Sequence, residues 1–216
     1  FRMAIKVKPN HINALKDYAA LLHDLERYEE SVVNYRAASL LAPEDPAIAC
    51  SLGAALQATG AVDEAFIAYQ TVLELMPDSA SAHNNIGSVL QNRGQLELAQ
   101  QSFLRALEIE PDFADALCNM GVCMLQLGRL DESLDYTRRA IAQHPAHLQA
   151  RTNLTSILFK QGRNDEVIAQ CRLALEINPD WKFIHSNLLF SLSHSEQLDP
   201  AAVFSEHLRY AEQFEA

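Results

Sequence analysis

The sequence predicts an all-α chain, a solenoid built from antiparallel helix pairs. Three observations carry that expectation. Pro9, Pro43, Pro77, Pro111, Pro145 and Pro179 recur every 34 residues, and only Pro46 and Pro200 fall outside the series. The glycines keep the same register, as Gly53, Gly87 and Gly121 and as Gly60, Gly94, Gly128 and Gly162, which uses all 7 of them. Between these punctuators the apolar residues recur with the 3.6-residue period of amphipathic helices. Such a unit is a helical hairpin that must stack on its neighbours to bury its apolar face.

With each proline set at position 32, full repeats run over 12–45, 46–79, 80–113, 114–147 and 148–181. Residues 1–11 read as the end of a truncated upstream repeat, Phe1 and Ala4 matching Phe103 and Ala106. Phe1 in place of an initiator Met fits an array that continues upstream. Glycine at position 8 (Gly53, Gly87, Gly121) lets the second helix of the pair, helix B, approach the first, helix A. It costs ~1 kcal/mol of helix propensity against Ala, which closer packing must offset. Glycine at position 15 permits the turn between the two helices. The first repeat departs from the pattern with Ala19 and Glu26 in those places. Ala38, Ala106, Ala140 and Ala174 keep position 27 small. Position 7 (Tyr18, Leu52, Ile86, Met120, Leu154, Leu188) and position 11 (Leu22, Leu56, Leu90, Met124, Leu158, Leu192) are the expected core. The proline ends helix B for want of an N–H, and the acids after it (Glu44, Asp78, Asp112, Asp180) suit the start of the next helix.

Residues 182–216 read as a partial repeat followed by a capping or linker helix. Helix A begins at Lys182 and runs to about His194, and no turn glycine follows near 196. Asp199-Pro200 resembles an N-cap with proline at the first helical position. A helix from there places Val203, Phe204, Leu208, Ala211 and Phe214 along one face.

Composition excludes several function classes. A net charge of -11 argues against nucleic acid as the partner, and Arg129, Arg138, Arg139 and Arg151 read as a solvated face. Cys50, Cys118, Cys123 and Cys171 lack metal or redox spacing. They suit small buried or groove-lining thiols in a reducing, cytoplasmic compartment. No apolar run approaches the ~20 residues that span a bilayer. With no self-contained catalytic motif, neither a metal nor a cofactor is expected.

The 34-residue period with these punctuators resembles the tetratricopeptide repeat (TPR). That resemblance implies a right-handed superhelix whose A helices line the concave side, with position 6 facing the groove. Down the chain that position is Asp17, Ser51, Asn85, Asn119, Asn153 and Asn187. A carboxamide both donates and accepts, so it can pair with a peptide N–H and C=O together. A helices ~10 Å apart would meet an extended chain about every three residues. Neighbouring groove positions are small or polar: Asn84, Cys118, Thr152 and Ser186 at position 5, and Ser88, Val122 and Ser156 at position 9. The expected peptide-binding residues are therefore Asn84, Asn85, Ser88, Asn119, Asn153 and Asn187, and the expected ligands are extended protein or peptide segments. The alternative is that these amides join one repeat to the next. The basic cluster by which some TPR co-chaperones clamp a C-terminal carboxylate is missing, for Lys16 stands beside Asp17 and Lys160 is isolated.

The segment HSNLLFSLSH (His185 to His194), followed by DPAAVFSEHLRYAEQFEA, resembles the junction between TPRs and catalytic domain in a glycosyltransferase family. That family is the O-linked N-acetylglucosamine transferase/SPINDLY-like proteins, glycosyltransferase family 41, and the bacterial members look especially similar. The resemblance implies transfer of N-acetylglucosamine from UDP-N-acetylglucosamine to protein Ser and Thr hydroxyls in a parent enzyme. This chain would be its substrate-recruiting arm, ending before the nucleotide-sugar domain and not catalytic alone. His185 is the match to a histidine that can face that family's active-site cleft. His185 also occupies position 4 of its repeat, as His83 does, where a ring can simply pack against helix B. A freestanding TPR adaptor for complex assembly is the alternative. Homo-oligomer formation through the solenoid surface or an exposed end is compatible with either.

Overall fold

The 34-residue period closes because 13-residue A helices alternate with 14-residue B helices, joined by short connectors. The computed structural model describes residues 10–194 and 200–214, so the expected upstream remnant up to Pro9 and the Asp199 cap lie outside it. Among the described residues there are 12 helices and no strands: α1 (Ile12–Asp24), α2 (Tyr28–Leu41), α3 (Pro46–Ala58), α4 (Val62–Leu75), α5 (Ala80–Asn92), α6 (Leu96–Ile109), α7 (Ala114–Gln126), α8 (Leu130–Gln143), α9 (Leu148–Lys160), α10 (Asn164–Ile177), α11 (Lys182–Ser193) and α12 (Pro200–Phe214). They form two compact units, Phe1–Pro111 and Asp112–Ala216, each a stack of helix pairs.

The A-to-B turn is set by one backbone conformation. Gly60, Gly94, Gly128 and Gly162 all have φ between +70° and +81°. In each case the following amide reaches back to the carbonyl of position 11, as in Ala61 N to Leu56 O at 2.9 Å and Gln95 N to Leu90 O at 2.9 Å. This is a Schellman closure, which satisfies helix-end carbonyls that would otherwise be orphaned. Glu26 makes the same turn at φ +58°, with Arg27 N on Leu22 O at 2.8 Å. The first repeat therefore keeps the geometry without the glycine. L-residues reach this region only at a cost of roughly 1–2 kcal/mol.

Each B helix stops two residues before its proline. The next A helix is capped by other groups than the acids after that proline. Asp45 accepts from Ala47 N and Ile48 N with Pro46 at the first helical position, and Ser79 accepts from Ala82 N. His11 and His147 accept through Nδ1 from Ala14 N and Ala150 N. The accepting Nδ1 fixes the proton of the neutral ring on Nε2.

Position 11 is buried in every repeat, as the periodicity requires, and Ala38, Ala106, Ala140 and Ala174 are sealed from solvent. In the second unit Leu154, Leu158, Ile168, Ile184, Leu188 and Leu192 belong to one continuous apolar cluster. Helix α12 lies on that cluster differently from the expectation. Val203 packs against it, while Phe204 and Leu208 face solvent at 64% and 48% exposure. The inward stripe is Val203, Glu206, Tyr210, Ala211 and Phe214, which keeps three of the five expected residues and replaces Phe204 and Leu208 with Glu206 and Tyr210, because α12 closes over the ring of His185.

Candidate functional site

Position 6 holds a graded set of environments. Asn85 is half-buried, donates to Cys50 Sγ at 3.8 Å and accepts from Asn84 Nδ2 at 3.5 Å. Asn153 is only 9% exposed, donates to Cys118 Sγ at 3.4 Å and accepts from Gln149 Nε2 at 3.0 Å. Each of these two amides thus reaches the position-5 thiol of an upstream helix A. Asn119 and Asn187 are half-buried. Of the neighbours, Asn84 is buried and Ser88 accepts a hydrogen bond from Gln57 Nε2 at 3.1 Å. Asn85 and Asn153 thus link consecutive A helices, while Asn119 and Asn187 keep part of their surface exposed.

The second unit also carries an aromatic surface. A cavity of about 300 Å³ opens between α9, α10 and α11, lined by Phe159, Phe183 and Phe190 with Ser156, Lys160 and Asn187. The three rings are each about half exposed. Phe159 and Phe190 meet edge to face at 5.4 Å, and His194 stacks on Phe190 at 4.2 Å. Ser191, another lining residue, has a buried hydroxyl with no hydrogen-bond partner. The sequence placed Asn187 and Ser156 on this surface but left its aromatic character unread.

His185 lies elsewhere, beneath α12. It is 3% exposed, with Tyr210 and Phe214 edge-on at 5.3 and 5.8 Å and Glu206 Oε2 3.7 Å from Nε2. Neither ring nitrogen has a hydrogen-bond partner. The reason is visible in the other repeats. His83 Nε2 and Arg151 Nε, also at position 4, meet the carbonyls of Pro77 and Pro145 at 3.0 and 2.6 Å. The equivalent carbonyl, Pro179 O, is taken by Gln213 Nε2 of α12 at 3.0 Å. Burial therefore pushes the His185 pKa down, partly opposed by Glu206.

Arg151, read as part of a solvated face, is in fact buried, because this proline carbonyl draws it inward. Arg129 and Arg138 do remain at the surface, pairing with Glu132 and Glu166, and Arg139 lies over Tyr136. The four cysteines are free thiols. Burial raises Cys118 to about 11 and Cys171 to about 12, so both stay protonated and poorly nucleophilic near neutrality. Among the described residues no cluster of His, Cys, Asp or Glu could hold a metal ion, and no helix is long and apolar enough to cross a membrane.

These helix pairs define a repeat protein whose A helices carry polar amides at position 6 and whose second unit holds an aromatic cavity. Residues 78–143 and 125–180 match two family models, each described as tetratricopeptide repeat, so the chain carries a TPR region in an all-α TPR fold. No curated protein matches the sequence. Among solved structures, a thermophilic TPR protein of Thermus thermophilus aligns at 21% identity over 84% of this chain and 99% of its own, with TM-score 0.74. The Pseudomonas aeruginosa protein pilF aligns at 16% identity over 95% of this chain and 92% of its own, with TM-score 0.76. YrrB, described as a TPR protein with an unusual peptide-binding site, aligns at 22% identity over 85% and 95%, with TM-score 0.56.

Proposed function

We propose that this chain is a protein–protein interaction scaffold that binds extended peptide or protein segments along the inner faces of its A helices. The observation that carries this reading is the position-6 amide series, in which Asn119 and Asn187 stay half-exposed beside small or polar neighbours. An amide grips backbone and is largely indifferent to sequence, which suits a scaffold with varied partners. The peptide-binding site described for YrrB supports the same reading.

Retention of a random dodecapeptide pool on the immobilised chain tests it. One peptide–amide hydrogen bond contributes ~0.5–1.5 kcal/mol, so Asn119→Ala with Asn187→Ala is expected to weaken retention roughly fivefold to a hundredfold while the melt barely moves. Unchanged retention with a lowered melt would mean that the amides only join helices.

The narrower reading makes this scaffold the substrate-recruiting arm of a family 41-type glycosyltransferase. The His185–His194 segment and the α12 sequence support it by resemblance. A freestanding adaptor for complex assembly is the alternative. Labelled UDP-N-acetylglucosamine offered to the parent protein separates the two. Label on Ser or Thr of acceptor proteins supports the arm; none supports the adaptor.

A further inference from the structure

The repeats serve as internal controls for one another, and one surface fails the control. At position 2 the residues are Asn13, Ala47, Ser81, Asp115 and Gln149, then Phe183. At position 9 they are Ala20, Ala54, Ser88, Val122 and Ser156, then Phe190. Position 12 runs His23, Gln57, Gln91 and Leu125 before Phe159, and returns to Ser193. These three phenylalanines depart from small or mostly polar positions, and the fold gathers all three around the one cavity. They stay about half exposed, which leaves part of each ring open to a ligand. Packing the pairs needs no phenylalanine at these positions, since the earlier repeats do without one.

We propose that this cavity is an anchor pocket for a peptide carrying one large apolar side chain next to a carboxylate. This rests on the scaffold reading above and names its ligand chemistry. About 300 Å³ lies at the small end of ligand pockets, room for one ring or branched chain rather than a large metabolite. The rings offer an edge-to-face partner for an aromatic residue. Lys160 stands on the same lining and makes no ion pair among the described residues, leaving its charge available to a carboxylate. In a chain of net charge -11 that local cation selects against a basic peptide close by and for an acidic one. Asn187 lies on the same lining to hold the peptide backbone.

The test uses four fluorescent heptapeptide pools, random except for a fixed pair of residues: Phe-Asp, Ser-Asp, Phe-Lys and Phe-Asn. Each is made with an amidated and a free C-terminus, and binding is read by anisotropy. The expected result is tenfold or greater preference for Phe-Asp over Ser-Asp, and a smaller preference over Phe-Lys. Phe183→Ser is expected to erase the first preference, and Lys160→Glu to invert the second. Free-acid Phe-Asn matching amidated Phe-Asp would assign the carboxylate to a chain terminus, and amidated Phe-Asp alone to a side chain. Equal binding of all pools, or none, would overturn the pocket. Equal binding that still falls with Asn119→Ala and Asn187→Ala would leave the scaffold reading standing without it. Sedimentation velocity covers the remaining occupant, for a dimer dissolved by Phe183→Ser would put a second copy there and refute the peptide.

Discussion

In the first unit a ring on helix B fills a notch in helix A. Tyr69 lies against Gly53 and Phe103 against Gly87, so closely that an added Cβ would stand 2.6 Å from either ring. In the second unit the same joint holds Gly121 with Thr137, then Thr155 with Cys171 at the equivalent positions. Read from the first repeat, the pairs are Ala19/Tyr35, Gly53/Tyr69, Gly87/Phe103, Gly121/Thr137 and Thr155/Cys171. Bulk moves from helix B to helix A along the chain. What the repeat holds roughly constant is the filling of the joint, a demand of close packing, and not the residue that fills it. Gly121 is the crossover, where both partners are small; Ser133 Oγ bonds the Gly121 carbonyl at 2.7 Å, as Ser31 Oγ bonds the Ala19 carbonyl at 2.8 Å in the first repeat, where a ring is also present.

Valine at two glycines is the strongest way to break this comparison. At Gly87 the added branches meet a ring with no exposure, and overpacking is expected to cost ~1–3 kcal/mol. At Gly121 the nearest atom is the Thr137 hydroxyl at 2.5 Å, on a side chain much smaller than a ring and held by no hydrogen bond, with the Ser133 carbonyl next at 3.3 Å. The loss there is expected at the low end of the same range. Chemical denaturation of both variants gives the answer, and equal losses would mean the two joints are alike. Transplanting the second-unit pair, Gly87→Thr with Phe103→Cys, sharpens it further. A double-mutant cycle should return a favourable coupling of ~0.5–3 kcal/mol, and simple additivity would refute the exchange of bulk.

A smaller effect lies at the turns. Glu26 carries a left-handed φ that the other four repeats assign to glycine. Glu26→Gly relieves ~1–2 kcal/mol of strain but enlarges the unfolded ensemble, for a net gain of ~0.5–1 kcal/mol. Gly94→Ala, with nothing within 4 Å of the new Cβ, should lose about as much through backbone strain alone. Thermal melts of the two variants should move in opposite directions. A shift of the same sign in both would remove the backbone explanation.

The parts of this fold that were legible in the sequence are those that local chemistry decides. Proline stops helix B wherever it falls, and a left-handed turn wants glycine, so both wrote a period into the chain. The unread parts depend on a distant partner. Nothing near Arg151 announces that it will turn inward to the Pro145 carbonyl. The caps from His11 and His147 went unread because histidine is an uncommon N-cap. The aromatic cavity was readable in principle, since aligning positions 2, 9 and 12 exposes the three phenylalanines. Attention to the asparagine position alone passed over them. The face of α12 was misjudged because counting only apolar residues omits Glu206 and Tyr210, which turn inward toward His185.

His185 extends the comparison from packing to protons. In the first unit His83 keeps the Pro77 carbonyl as a partner, whereas in the second unit Gln213 takes the matching carbonyl and leaves His185 buried without one. The groups facing it are Glu206 and Arg209 on α12, with Arg172 and Glu176 of α10 lining the same cavity. Burial outweighs the attraction of Glu206, so the folded pKa lies below the ordinary 6.5. As pH falls below that value, the unfolded chain takes up the proton first. The contribution to stability is therefore full above the ordinary value and is lost as pH drops toward the folded pKa. The expected sign is faster amide hydrogen exchange in α12 at pH 5.5 than at pH 7.5, after correction for intrinsic rates. His185→Phe, which keeps the ring contacts and removes the proton, should erase most of the difference. If the variant keeps the full pH dependence, the loosening has its origin in other titrating groups, and the buried ring is only packing.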